Sequence, residues 1–142
     1  MIDQDLQKAY ENALYRISKP PISWKVGNYC TELDELLSEH DVEVATFITA
    51  YNPGSVSLTA EENQQRNATL QKALATVGYS YLHGQGEDVQ CIWTPELSFL
   101  VMGMPPEEAL TYARQFGQNA VLIIYRKQPV QLLFCTDQIY GY

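Results

Sequence analysis

Several polar side chains stand where the pattern calls for apolar ones. After Thr59, Leu70, Leu74 and Val77 recur at spacings of four and three. Extending that stripe backward at 3.6 residues per turn puts Asn63 and Arg66 on the same face. An amide or guanidinium turned inward is costly unless it finds partners, so backbone carbonyls, a carboxylate or a bound ligand must meet them. Glu96 and Ser98 open an apolar run, and two-residue alternation sets them on one strand face with Leu100 and Met102. If that face meets the helices, Glu96 is the natural bidentate partner for Arg66; otherwise it stands past the strand end in water. Gln118 and Asn119 put two amides where a helix runs directly into a strand. Tyr51 and Asn52 end another apolar run, beside a loop holding Ser55 and Ser57. Strand ends and helix starts converging on one edge are where open α/β folds usually place binding residues.

Three chemistries fit these types. A pocket of Tyr51, Asn52, Asn63, Arg66, Glu96, Ser98, Gln118 and Asn119 would hold a small polar molecule, nucleotide-like or amino-acid-like. Arg66 would orient its carboxylate or phosphate, the amides would read its edges and Tyr51 would stack on a ring. A hydrolase-type enzyme would use Glu96 as general acid or base, with Arg66 stabilising developing negative charge. A structural arrangement would have Asn63 tie down the preceding loop, Asn119 satisfy local backbone and Arg66 pair with a nearby acid.

Other signals are weaker. His83-Gly84-Gln85-Gly86 has no helix behind it, and Glu87 and Asp88 oppose an anion there, so His83 is expected in an exposed loop. Glu61 and Glu62 give the helix after Thr59 the same handicap. The three cysteines, Cys30, Cys91 and Cys135, are far apart, without a CxxC or Cys/His cluster; each is expected as a small buried hydrophobe in a reducing cytosol. No GxSxG, HExxH, Walker or acidic metal motif is present, so no metal or cofactor is expected and no catalytic role is assigned.

The elements that must carry these residues read as follows. A helical stripe runs from Asp3 to about Ile17 and stops at Lys19-Pro20-Pro21. A short strand spans Ile22 to Val26 and a helix Thr31 to Glu39. Val44 to Ala50 is a buried strand broken at Asn52-Pro53-Gly54-Ser55. Thr59-Ala60-Glu61-Glu62 fits a capping box, opening a helix that reaches Val77 and stops at Gly78. Tyr79–Leu82, a short Val89–Trp93 and a stronger Glu96–Met102 are strands. Pro105-Pro106-Glu107-Glu108 opens another helix, ended by Gly117. Asn119–Tyr125 and Val130–Phe134 form a hairpin. The expected class is α/β (α+β): a ferredoxin-like βαββαβ sandwich on an antiparallel or mixed sheet, with an added C-terminal hairpin strand and an N-terminal helix-strand-helix extension. Residues 1–142 are taken as one domain, with 1–43 the extension, 44–134 the core and 135–142 a tail.

With 142 residues, 46% hydrophobic and 18% charged, the composition is that of a globular chain. Nine Lys+Arg against seventeen Asp+Glu leave a net charge of −8, which repels phosphate backbones and argues against an extended nucleic-acid or anionic-membrane surface. The same charge and ten tyrosines would suit a basic protein partner, as an interaction module or inhibitor of a macromolecule. No run approaches the about 20 apolar residues that span a bilayer, and the N-terminus lacks a signal pattern, so a cytoplasmic location is expected.

Thr49-Ala50-Tyr51-Asn52-Pro53, then Glu62-Asn63 with Arg66, then Glu96-Leu97-Ser98-Phe99-Leu100, then Phe116-Gly117-Gln118-Asn119-Ala120, in that order, resembles a family of bacterial proteins catalogued as domain of unknown function 3293. The likeness covers about Val44 to Phe134. It implies a small stand-alone cytoplasmic domain in which the polar residues above belong to the family's motif, and it lends none of them a catalytic role.

Overall fold

Apolar residues on both faces of the central strands dictate the layering. The computed structural model describes residues 4–90 and 94–135. In chain order the elements are α1 (Gln4–Asn12), β1 (Leu14–Ile17), β2 (Ile22–Trp24), α2 (Thr31–Glu39), β3 (Val44–Ile48), α3 (Ala60–Val77), β4 (Tyr81–Glu87), β5 (Glu96–Met102), α4 (Pro106–Gln115), β6 (Ala120–Tyr125) and β7 (Gln131–Phe134), with a 3-10 turn at Pro53–Ser55. The strands form one sheet in the order β2-β1-β4-β5-β3-β6-β7, each neighbour antiparallel to the next. The protein is thus a mixed α/β fold on an antiparallel sheet. Alternate residues of β3, β5 and β6 feed two cores. Ile48, Phe99, Val101, Val121 and Ile123 pack under Leu70 and Leu74 of α3 and Ala109 and Ala113 of α4. On the other face Phe47, Leu100, Met102, Leu122 and Ile124 meet Leu33, Leu36 and Leu37 of α2, together with Tyr15, Ile17 and Trp24.

Local chemistry places the helices. The Thr59 hydroxyl accepts from the Glu62 N–H at 3.1 Å while the Glu62 carboxylate accepts from the Thr59 N–H at 3.1 Å, closing the capping box of α3. Gly78 ends that helix at φ 100°, a left-handed conformation that a side chain would strain. Pro106 starts α4 without forfeiting a helical bond, and Glu107 and Glu108 lie at its positive end.

Three expectations are corrected. The first helix stops at Asn12, and Leu14–Ile17 is β1, so the N-terminal segment is helix, strand, strand, helix. Leu14 and Ile17 fit a helical spacing, but Tyr15 and Ile17 also alternate with exposed Arg16. Pairing on both sides, to β2 and to β4, decides between the two periods. The His83-Gly84-Gln85-Gly86 stretch is not a loop but part of β4. Both glycines stand where β1 passes closely: a Cβ on Gly84 would collide with the Arg16 carbonyl oxygen and lie 2.8 Å from Phe47 Cε1. His83 is exposed, as expected, with its ring centroid 5.5 Å from that of Phe99. Of the short strand expected at Val89–Trp93, Val89 and Gln90 form a turn, and the rest lies outside the described residues, as do Cys91 and the tail beyond Cys135. Cys135 is buried and Cys30 half-buried.

Gly84→Ala is therefore expected to destabilise the protein by about 1–3 kcal/mol through overpacking between β1 and β4. Urea denaturation checks this, and an unchanged midpoint would contradict the close approach.

Candidate functional site

The ladder of β3 ends at Ile48, and the backbone of Ala50, Tyr51 and Asn52 continues into the loop before α3. Its polar groups still need partners, and side chains supply them. Asn67 Oδ1 accepts from the Ala50 N–H at 3.2 Å, and Arg66 Nε donates to the Ala50 carbonyl at 2.9 Å. Asn63 Oδ1 accepts from the Asn52 N–H at 2.8 Å, and Gln118 Nε2 donates to the Tyr51 carbonyl at 2.9 Å. The Thr49 hydroxyl accepts from the Tyr51 N–H at 3.1 Å and donates to the Leu97 carbonyl at 2.6 Å.

Arg66 also donates through Nη2 to the Phe116 carbonyl, at the C-terminal end of α4, where the helix dipole is negative. Its guanidinium carbon lies 5.9 Å from the Phe116 ring centroid. Beside it, Gly117 adopts φ 70°, and a Cβ there would come within 2.9 Å of Pro53 Cβ; its carbonyl accepts from the Gly54 N–H at 2.7 Å. The Phe-Gly-Gln sequence thus gives a carbonyl for the arginine, room for the proline loop and an amide for Tyr51.

This scaffolding aims one further side chain. Asn52 is held at φ 46°, ψ 66°, a left-handed conformation asparagine tolerates. Its Oδ1 accepts from Asn63 Nδ2 at 2.8 Å and from the Leu58 N–H at 3.0 Å, leaving Nδ2 to donate to Glu96 Oε2 at 2.9 Å. The expected Arg66–Glu96 pair does not form. Glu96 and Ser98 share a strand face with Leu100 and Met102, and that face turns away from α3 and α4, toward α1 and α2. Arg66 and Glu96 therefore serve opposite sides of the sheet.

Glu96 opens into a cavity of about 280 Å³ between α1 and the sheet. Leu6, Ala9, Tyr10 and Ala13 form one wall, and Tyr15, Phe47 and Leu122 the opposite one. Thr49, Asn52, Ser57, Ser98 and Gln118 supply polar atoms. Burial pushes the Glu96 carboxyl above its ordinary range, with the Asn52 hydrogen bond opposing. Burial raises the Tyr51, Tyr10 and Tyr15 hydroxyls, and the Glu96 charge raises each of them further. Among the described residues lining the cavity, Glu96 carries the one charge.

Of the eight residues singled out from sequence, Asn52, Glu96, Ser98 and Gln118 line this cavity. Tyr51, Asn63 and Arg66 lie behind it in the loop scaffold. Asn119 does not line it; its carbonyl accepts from the Cys135 N–H at 2.9 Å. Sequence reasoning missed Asn67, although stepping back seven residues from Leu74 reaches it. It also missed Tyr10 and Phe47, visible on the N-terminal stripe and in the Val44–Ala50 run without a cavity to assign them to, and Tyr15, whose strand was read as helix.

Two outcomes follow from this geometry. Asn63→Ala leaves the Asn52 N–H without its partner and is expected to cost about 1–3 kcal/mol in urea denaturation, whereas the neighbouring exposed Gln64→Ala should stay within about 0.5 kcal/mol. Because folding raises the affinity of Glu96 for its proton, the stability it confers is full below the usual carboxylate pKa and is lost as pH rises through the folded value. Glu96→Gln should therefore gain stability relative to wild type between pH 4 and pH 7, measured by chemical denaturation at both; a relative loss would contradict the burial of this carboxyl.

No curated protein and no solved structure matches the chain. Residues 48–121, just over half of it, match the family described as "Protein of unknown function (DUF3293)". That span runs from the last residue of β3 to the start of β6 and contains the loop, its staples on α3, Glu96 and the Phe116-Gly117-Gln118 turn. The chain belongs to the DUF3293 family.

Proposed function

We propose that this protein binds a small molecule in the cavity between α1 and the sheet, with Asn52 and Glu96 fixing the polar end of the ligand. The observation that carries this is a half-buried carboxylate opening into an otherwise largely apolar space of about 280 Å³, the combination of apolar walls and a few placed polar groups that ligand sites share. The amine of an amino-acid-like ligand fits this site better than the phosphate of a nucleotide-like one. Phosphate or carboxylate recognition rested on Arg66, which does not line the cavity and donates through Nε and Nη2 to the Ala50 and Phe116 carbonyls.

An enzyme with Glu96 as general acid or base is a second reading, favoured by a raised carboxyl beside an accessible space. Stabilisation of negative charge by Arg66 is not part of it. The net charge of −8 supports the third, a basic protein partner. The strand order β4-β5-β3-β6, with α3 and α4 as its crossovers, supports a ferredoxin-like core within residues 44–134. One sheet carrying β1 to β7 supports a chain folding as one domain, and a thiol at half-buried Cys30 supports a cytoplasmic location.

A thermal-shift screen of amino acids, amines, nucleosides and nucleotides tests the assignment on wild type and on Ala120→Leu, which fills the cavity from β6. Ligands that raise the wild-type Tm by several degrees should lose their effect in the variant. Responses surviving in a folded Ala120→Leu protein would place binding elsewhere and overturn the proposal.

A further inference from the structure

Resting on the proposal that the cavity holds a ligand, we infer that its ligand is a small organic cation: an ammonium group on an aromatic or alicyclic body, seated with the nitrogen on Glu96 and the body between Tyr10, Tyr15 and Phe47. Charge complementarity is the first ground. Glu96 is the one charged side chain among the described lining residues, so any cation opposite it must come with the ligand. Hydrogen-bonding capacity is the second. A carboxylate offers about four acceptor sites, and Asn52 Nδ2 takes one at 2.9 Å, so an ammonium with three donors finds acceptors waiting.

The walls are the third ground. Aromatic faces attract cations through their negative quadrupole and also accept an apolar ring, so the same surface serves both ends of such a molecule. The Tyr15 and Phe47 rings meet edge to face, with centroids 5.8 Å apart, which fixes one side of the space. A carboxylate or phosphate on the ligand would meet Glu96 with like charge and no lining cation to offset it. Burial without a counter-charge also accounts for the raised Glu96 carboxyl, which a bound ammonium would bring back down.

Isothermal titration of the intact chain with four probes of similar shape tests this: 2-phenylethylamine, 2-phenylethanol, 3-phenylpropionate and phenylalanine. The amine should bind one to one, at least tenfold more tightly than each of the others. Glu96→Gln, which retains an acceptor for Asn52, should weaken the amine at least tenfold and leave the alcohol unchanged. Equal binding of alcohol and amine, or an amine affinity indifferent to Glu96→Gln, overturns the cation assignment while the cavity remains a ligand site. Tighter binding of Nα-acetyl-lysine methylamide would transfer the ammonium to a protein side chain and overturn a free amine. Absence of binding by all the probes overturns the inference, and the broader ligand proposal then stands or falls by its own screen.

Discussion

Three residues of backbone without a strand partner govern this architecture. When β3 ends at Ile48, the chain must cross from the sheet to α3 while the polar groups of Ala50, Tyr51 and Asn52 stay largely out of water. A buried backbone group left unpaired costs about 1–3 kcal/mol. Asn63, Arg66 and Asn67 from α3, Gln118 from the entry to β6, and Thr49 from the segment itself meet five such groups with bonds of 2.8–3.2 Å. The staples come from three places in the sequence: the segment's own edge, α3 and the entry to β6. The segment thus locks α3 and the turn after α4 to the end of β3, and none of these elements can shift without breaking several bonds together.

The consequence lies across the sheet. A loop held by both backbone and side chain can carry Asn52 in a left-handed conformation and point its amide at Glu96. The cation and the anion, Arg66 and Glu96, are thereby separated. Arg66 donates to two carbonyls, one at the negative end of α4, and its guanidinium lies over the Phe116 ring. Glu96, on the other side, receives a neutral amide and no cation. Had the two paired, each would have cancelled the other in a closed contact. Apart, one holds the frame and the other gives the cavity its polarity.

How much of this was legible depended on range. Signals within a few residues read correctly: the Thr59–Glu62 box, the Gly78 stop, the Pro106 start and the bounds of α2 and β5. That Asn63 faces inward followed from helical period alone. Which partner it meets did not, because the Asn52 N–H looks like any other backbone in a sequence. The side of the sheet on which Glu96 falls is also invisible to alternation, which pairs it with Ser98 and Leu100 but cannot say which helices lie above them. Gly84 and Gly86 misled for a related reason. Their purpose is room for β1, a strand about seventy residues earlier, and the local cue for a glycine pair is a turn.

The N-terminal helix shows how fold and site converge. Leu6, Ala9, Tyr10 and Ala13 make a stripe fit for a core, yet α1 itself buries none of its residues, and the stripe faces the cavity. Near its C-terminal end the Tyr15 hydroxyl donates to the Tyr10 carbonyl at 3.1 Å and the Tyr10 ring meets Phe134 edge-on. Apolar area stabilises only when it leaves water, at about 25 cal/mol per Å². On the proposed reading, a molecule in the cavity would cover apolar surface that Leu6 and Ala9 leave partly exposed. By linkage, whatever is bound more tightly when α1 is docked must also hold α1 more firmly in place. If the cavity holds a ligand as proposed, its occupancy and the docking of the helix are coupled, and residues outside the family match take part in that coupling together with Glu96.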